Sequence, residues 1–315
     1  MPAKSTTFLS PEYKTNVKRA LKQMKRDWLL YVMFIPVALN FIVFHFWPMY
    51  GLRIAFMDYN PVLGFDYSRF VGLKNFERFF SSQYFGLTLR NTLSVTLSSL
   101  LLSPLPIILA LLLNEVTNAR FKKTIQTISY MPHFVSAVIV VGILNILFSN
   151  EGIVNNLIQA LGYNSFNFLS NKNTFLPMYL GMGVWGETGY ESIIFIAAIT
   201  NINPELYEAA EIDGAGRMKR LWHVTLPEIL STLVVIYIMR IGNIMNVGWQ
   251  TIYLMQNELN LETSEVISTF VYKRGLIDSD YGYSTAVGLF NNLIGFILVL
   301  IANKLSKVFT ESSLF

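Results

Sequence analysis

The chain has 315 residues, 53% of them hydrophobic and 14% charged, with no cysteine and a formal net charge of +4. A soluble domain carries roughly 25% charged residues, so these proportions exclude a soluble enzyme and a disordered chain. The lack of cysteine excludes a disulfide-stapled secreted domain, and basic residues scattered between apolar blocks are not the one-sided patch of a nucleic-acid binder.

The chain therefore reads as a polytopic protein of a lipid bilayer, all-α in fold class. A helix crossing a hydrocarbon core of roughly 30 Å needs about 20 mostly apolar residues. A basic segment, 1–27, precedes the first such stretch, Trp28 to Trp47. This run is too long for a signal-peptide core, and FWPMYG follows it instead of a small-residue cleavage site, so it is read as a retained anchor. With the long outer loop that follows, it makes up segment 28–90.

The core, 91–305, supplies five more spans: Asn91 to Leu113, Tyr130 to Phe148, Phe175 to Thr200, Ile229 to Val247 and Thr285 to Leu305. A short tail, 306–315, ends the chain. With a cytoplasmic N-terminus, the inner segments hold fifteen Lys and Arg against eight outside. The positive-inside rule then places both termini in the cytoplasm. No internal repeat is visible, so the inverted-repeat logic of many secondary transporters has no support.

The connection between the fourth and fifth spans, NINPELYEAAEIDGAGRMKRLWHVTLPEIL from Asn201, carries the strongest signal. Asn203 suits a helix N-cap and Pro204 the first helical position. Glu205 and Glu208 lie in the favourable field of the first turns. Gly214 and Gly216 end that helix, and Pro227 delimits a basic second half.

Glu208-Ala209-Ala210, then three residues to Gly214, then nine to Val224-Thr225-Leu226-Pro227, resembles the EAA loop of binding-protein-dependent ABC importer permeases. Val224 departs from the isoleucine usual there. LYEAAEIDGAGRMKRLWHVTLP resembles the carbohydrate-uptake branch. Phe70-Val71-Gly72-Leu73-Lys74-Asn75-Phe76, with Asn91-Thr92, resembles the segment preceding the core spans of sugar permeases. Tyr281 to Gly295 resembles permeases for oligosaccharides released from polysaccharides, aldouronate-type included.

The resemblance implies a type I importer permease fold of six transmembrane helices in the bacterial cytoplasmic membrane. It makes 201–228 a coupling loop that docks on a cytoplasmic ATPase. Glu208 would pair with a basic residue there, Ala209 and Ala210 would allow close approach, and Gly214 would make the turn. Asp213, Leu226 and Pro227 complete that set. The implied partners are a second homologous permease, two ABC ATPase subunits and an extracytoplasmic solute-binding protein, with an oligosaccharide as cargo.

The chain has no Gly-Lys dipeptide, hence no G-x-x-x-x-G-K-[ST] phosphate loop. ATP and Mg are accordingly expected in the partner ATPases, with no cofactor on this chain. His45, His133 and His223 fall in separate segments without metal-ligand spacing. No Gly-x-Ser-x-Gly elbow marks an enzyme.

Ionisable residues inside a span are costly and often functional. Glu187 and Glu191 are four apart and share a helix face. Glu191 and Arg240 each lie 13 residues from the loop prolines Pro204 and Pro227, about 20 Å along their helices, which makes them a candidate ion pair. Trp185, Glu187, Tyr190, Glu191, Asn243, Asn246, Trp249 and Gln250 are candidates for a sugar path, since sugars offer hydroxyls to carboxylates and amides and C–H faces to aromatic rings. Core packing accounts for many of them equally well, and two carboxylates would repel a uronate unless compensated. An importer for a non-sugar solute, and an ATP-independent channel or carrier, remain as alternatives.

Overall fold

The structure is a computed structural model that describes residue 23 and residues 25–310, with side chains described to residue 307. The expected basic segment 1–27 lies almost entirely outside the described residues, as does the end of the 306–315 tail.

The chain divides into two compact units at Ile54 and Ala55. In the first, α1 (Trp28–Phe41) runs through Pro36 without a break and continues by a π-type turn, Ile42–Phe46. No residue of α1 is buried, and Leu30, Met33 and Phe34 stand exposed. Trp28–Phe56 is long and apolar enough to cross a membrane, reaching past the expected end at Trp47.

The second unit begins with the one β ladder among the described residues, β1 (Met57–Asp58) antiparallel to β2 (Arg69–Phe70). Next come α2 (Lys74–Phe80), α3 (Gln83–Leu102) and α4 (Leu105–Glu115). The Asn75 amide donates to the carbonyls of Ala55 and Met57 at 2.9 and 3.1 Å, which pins the ladder to α2. Gly72 turns the chain between them at φ +60°, a conformation that L side chains rarely adopt.

The chain goes on through α5 (Ala119–Tyr130), α6 (Ala137–Phe148), α7 (Ile153–Ala160) and α8 (Lys172–Thr200). After α9 (Pro204–Ile212) and α10 (Arg217–Arg220), a π-type turn at Leu221–Thr225 leads into α11 (Leu226–Gly242). The short helices α12 (Trp249–Met255), α13 (Leu261–Ser264) and α14 (Ile267–Tyr272) precede α15 (Tyr281–Thr310).

Among the described residues five helical stretches are long and apolar enough to cross a membrane: Trp28–Phe56, Gln83–Glu115, Ala137–Ala160, Arg217–Gly242 and Tyr281–Lys307. The fourth expected span corresponds to α8, whose 29 residues suffice in length but which is not among the five.

The second, third and fifth spans also differ from expectation. The second span starts at Gln83, well before Asn91, and is interrupted at Ser103–Pro104, where proline removes a helical donor. The third is not one helix from Tyr130: α5 ends there, a 3-10 turn spans Met131–Phe134, and Ser136 caps a new helix. Pro132 suits the first turn of such a restart and not a helix interior. The fifth ends at Gly242, short of Val247.

Both of the last two interruptions adjoin the middle of α8. A Cβ placed on Gly189 would fall 2.0 Å from the Ser129 carbonyl, so α5 and α8 meet backbone to backbone just before the 131–136 break. Small residues permit such close helix approach within a membrane. In the irregular stretch 243–248 two carbonyls take side-chain donors: Thr96 donates to Ile244 at 2.6 Å and Asn291 to Met245 at 3.2 Å. Non-helical backbone at membrane depth persists only with such partners, or lining a cavity.

Packing follows three apolar clusters. Val95, Val141, Leu144, Phe175 and Ile252 join α3, α6, α8 and α12. An aromatic cluster around Phe79, Phe270 and Tyr283 seats α2 and α14 on α15. Ala110, Phe195, Ile199 and Ile229 join α4, α8 and α11, and Tyr207 and Val224 pack against them. The third cluster is what positions the loop between α8 and α11.

Candidate functional site

That loop is built from short local rules. The Asn203 side-chain oxygen accepts from the Glu205 N–H at 3.1 Å, and Pro204 opens α9 where no amide donor is needed. At the far end the Ala215 N–H reaches the Ala210 carbonyl at 2.8 Å and the Gly214 N–H the Glu211 carbonyl at 3.0 Å. These are the two bonds of a Schellman cap, with Gly214 left-handed at φ +74°.

The Tyr207 hydroxyl then bonds Thr225 Oγ1 at 2.9 Å, clasping α9 to the base of α11. Arg220 pairs with Glu211 at 3.3 Å and Arg217 with Glu115 at 3.8 Å, closing the basic half onto α9 and α4. Glu208, Ala209, Asp213, Gly214 and Pro227 are exposed, and Ala210 and Leu226 are half-buried. Ile212, Met218 and Trp222 add large exposed apolar groups to the same element. Such a surface suits a protein partner.

A second site lies where α8 and α11 meet the irregular backbone. Glu191 Oε2 and Arg240 Nη2 form an ion pair. Glu187, one turn along α8, accepts a hydrogen bond from His133 Nδ1 at 2.9 Å. The imidazole lies flat on Tyr190, with ring centroids 3.7 Å apart and planes 1° from parallel.

Glu187, Glu191 and Arg240 line two adjoining cavities. One, of about 210 Å³, is bounded also by Ser99, Ser103 and Thr188. The other, of about 400 Å³, adds Thr96, Asn243 and Asn246. A cleft of this size with a few convergent polar groups is the usual form of a small-ligand site.

The sequence candidates thus separate. Glu187, Glu191, Arg240, Asn243 and Asn246 come together around one cleft, and Tyr190 adjoins it through His133. Trp185 instead lines an apolar cavity of about 650 Å³ with Leu147, Phe148 and Met178. Trp249 stacks on Tyr272 with centroids 4.7 Å apart, and Gln250 is exposed; neither lines the cleft of Glu187 and Arg240. His133 has no metal-ligand spacing to mark it in the sequence, although Pro132 and Ser136 beside it carry the signature of a helix restart. Among the described residues no three potential metal ligands cluster.

Comparison with known proteins places these features in context. Residues 102–309 match the profile described as binding-protein-dependent transport system inner membrane component. The polygalacturonan/rhamnogalacturonan transport system permease protein YteP of Bacillus subtilis (strain 168) is 45% identical over 304 residues, covering 96% of this chain and 95% of the relative. Protein LplB of the same organism is 46% identical over 294 residues, 93% and 92% of the two chains. Among solved structures, a chain of a bacterial ABC transporter involved in import of the acidic polysaccharide alginate superposes with a TM-score of 0.86 at 40% identity. It covers 93% of this chain and 99% of its own.

Proposed function

This chain belongs to the family of binding-protein-dependent transport system inner membrane components, and from that premise we propose that it is the permease subunit of an ATP-driven oligosaccharide importer. It is a multi-pass protein of the bacterial inner membrane. In this reading six spans, α8 among them, place both termini in the cytoplasm.

The observation that carries the reading is the capped, exposed loop 201–228. It presents Glu208, Ala209 and Ala210 on a short helix held rigid by the Gly214 cap and the Tyr207–Thr225 bond. A rigid, exposed, mixed apolar and acidic element suits a cleft on an ATPase, and a flexible loop would transmit no displacement. ATP and Mg belong to two cytoplasmic ATPase subunits. A second, homologous permease completes the pathway, and a solute-binding protein delivers the sugar from outside. Closure of the ATPase pair draws the coupling loops together and opens the cleft outward, so that two states alternate.

The cargo reading rests on the cleft of Glu187, Asn243 and Asn246, whose carboxylate and amides suit sugar hydroxyls. It also rests on relatives named for polygalacturonan, rhamnogalacturonan and alginate transport, which favour a uronate-containing oligosaccharide.

The test is reconstitution of this chain with its partner permease, ATPases and binding protein in proteoliposomes. Sugar uptake that requires ATP, and ATP hydrolysis stimulated by the sugar-loaded binding protein, is the expected result. Equal uptake without ATP or ATPases would overturn it in favour of a channel or carrier.

A further inference from the structure

A cleft lined by two carboxylates and one guanidinium repels an anionic sugar unless another group compensates. We propose that His133, set against Glu187 at the edge of the cleft, is a specificity-determining residue, partnering that carboxylate so that a carboxylate-bearing oligosaccharide meets no uncompensated negative charge. This rests on the importer reading and goes beyond it in assigning the residue.

The charged side chains lining the two cavities are Glu187, Glu191 and Arg240. Arg240 is engaged by Glu191, which leaves Glu187 as the unbalanced charge. His133 Nδ1 stands 2.9 Å from its Oε2, a distance suited to a charge-assisted bond.

The rest of the fold holds the imidazole there. His133 sits in the 3-10 turn between α5 and α6, where the interrupted helix frees its side chain to face α8. Its ring is laid on Tyr190 and flanked edge-on by Phe134 at 5.5 Å. The titratable groups facing it are Glu187 and Tyr190, both from α8. The pair Glu187–His133 thus repeats, one turn away, what Glu191–Arg240 does.

The experiment uses the reconstituted importer and a uronic-acid trisaccharide as probe, with four permeases: wild type, His133→Gln, Glu187→Gln and the double variant. His133→Gln keeps a hydrogen-bond donor but not the charge, and should lower the initial uptake rate by roughly tenfold or more, the scale on which like-charge juxtaposition acts. The double variant, which removes the carboxylate as well, should recover to within about threefold of wild type. His133→Lys should retain more uptake than His133→Gln.

If the double variant is no better than His133→Gln, the residue is merely structural and the assignment falls. Uptake by His133→Gln equal to wild type also sinks it. Wild-type uptake of a neutral trisaccharide but not of the uronate would overturn this inference and leave the importer standing. Wild-type uptake of neither would overturn the importer reading itself.

Discussion

The Glu191 carboxylate and the Arg240 guanidinium form an ion pair that joins the middle of α8 to the last turn of α11. Each side chain keeps about a third of its surface open, 32% and 28% respectively. The pair is therefore screened more than a fully buried one would be, yet it holds together the two helices that carry most of the cleft. Replacing Arg240 by glutamine leaves Glu191 unpaired and should destabilise the complex by about 1–3 kcal/mol. Removing both charges, Glu191→Gln with Arg240→Gln, should recover most of that loss. Thermal melting of the purified complex measures it; an unchanged midpoint for Arg240→Gln alone would show that the pair contributes nothing.

At Gly214 the backbone is left-handed, and no neighbouring atom stands within 4 Å of where a Cβ would sit. A side chain there is opposed by conformation and not by crowding, at a cost of about 1 kcal/mol. That is too little to unfold the protein but enough to loosen the Schellman cap. Gly214→Asp, and separately Glu208→Lys, should cut uptake by roughly tenfold or more, the loss expected when a docking contact of a few kcal/mol is removed. Membrane levels should stay normal. Immunoblotting of membranes beside transport assays checks it, and normal uptake by both variants would sink the coupling assignment.

Gly189 gives the opposite case. Its missing side chain is what allows Ser129 to lie against α8, and any Cβ would collide with backbone. Gly189→Leu should cost more than about 3 kcal/mol, since neither helix can yield without moving the core. It should accumulate poorly in the membrane. Gly186, one turn away with open space around it, should accept alanine without loss. Comparable expression of the two variants would contradict the packing.

Outside the membrane-spanning segments, Lys172 Nζ lies 3.0 Å from Glu262 Oε2 and ties the start of α8 to α13. The hydrogen bond and charge of Lys172, with Arg90 adding to them, hold the Glu262 carboxyl below its ordinary value of 4.5. A depressed carboxylate stabilises the fold above its ordinary value, and that contribution is lost as pH falls through the depressed value. Hydrogen exchange around 257–264 should therefore quicken as pH drops below about 4.5, after correction for intrinsic rates. In Lys172→Met that additional pH dependence should disappear. Identical profiles in the two proteins would remove the linkage.

Much of the loop 201–228 was legible because its rules are local. An asparagine before a proline, and a glycine at the end of a short helix, specify caps within a few residues. Equal spacings of 13 residues from Pro204 and Pro227 put Glu191 and Arg240 at one level, which is where they meet. The broken helices were not legible in this way. Apolar content around Tyr130 to Phe148 is continuous across the break, and hydropathy measures burial in lipid and not backbone hydrogen bonding. Nor could it place Trp185, because a long helix with little amphipathic bias does not announce which side faces the cleft and which faces α6.

The Tyr207–Thr225 bond has a mechanical meaning. It fastens α9 to the foot of α11, and from Thr225 to Arg240 the chain runs 15 residues, about 22 Å of stiff rod. A lever clamped at one end swings at the other. In the importer reading, a tilt imposed on the loop would arrive at Arg240 as sideways travel, and Arg240 is the residue that grips Glu191. The clasp would then make the foot of the rod a handle on the cleft.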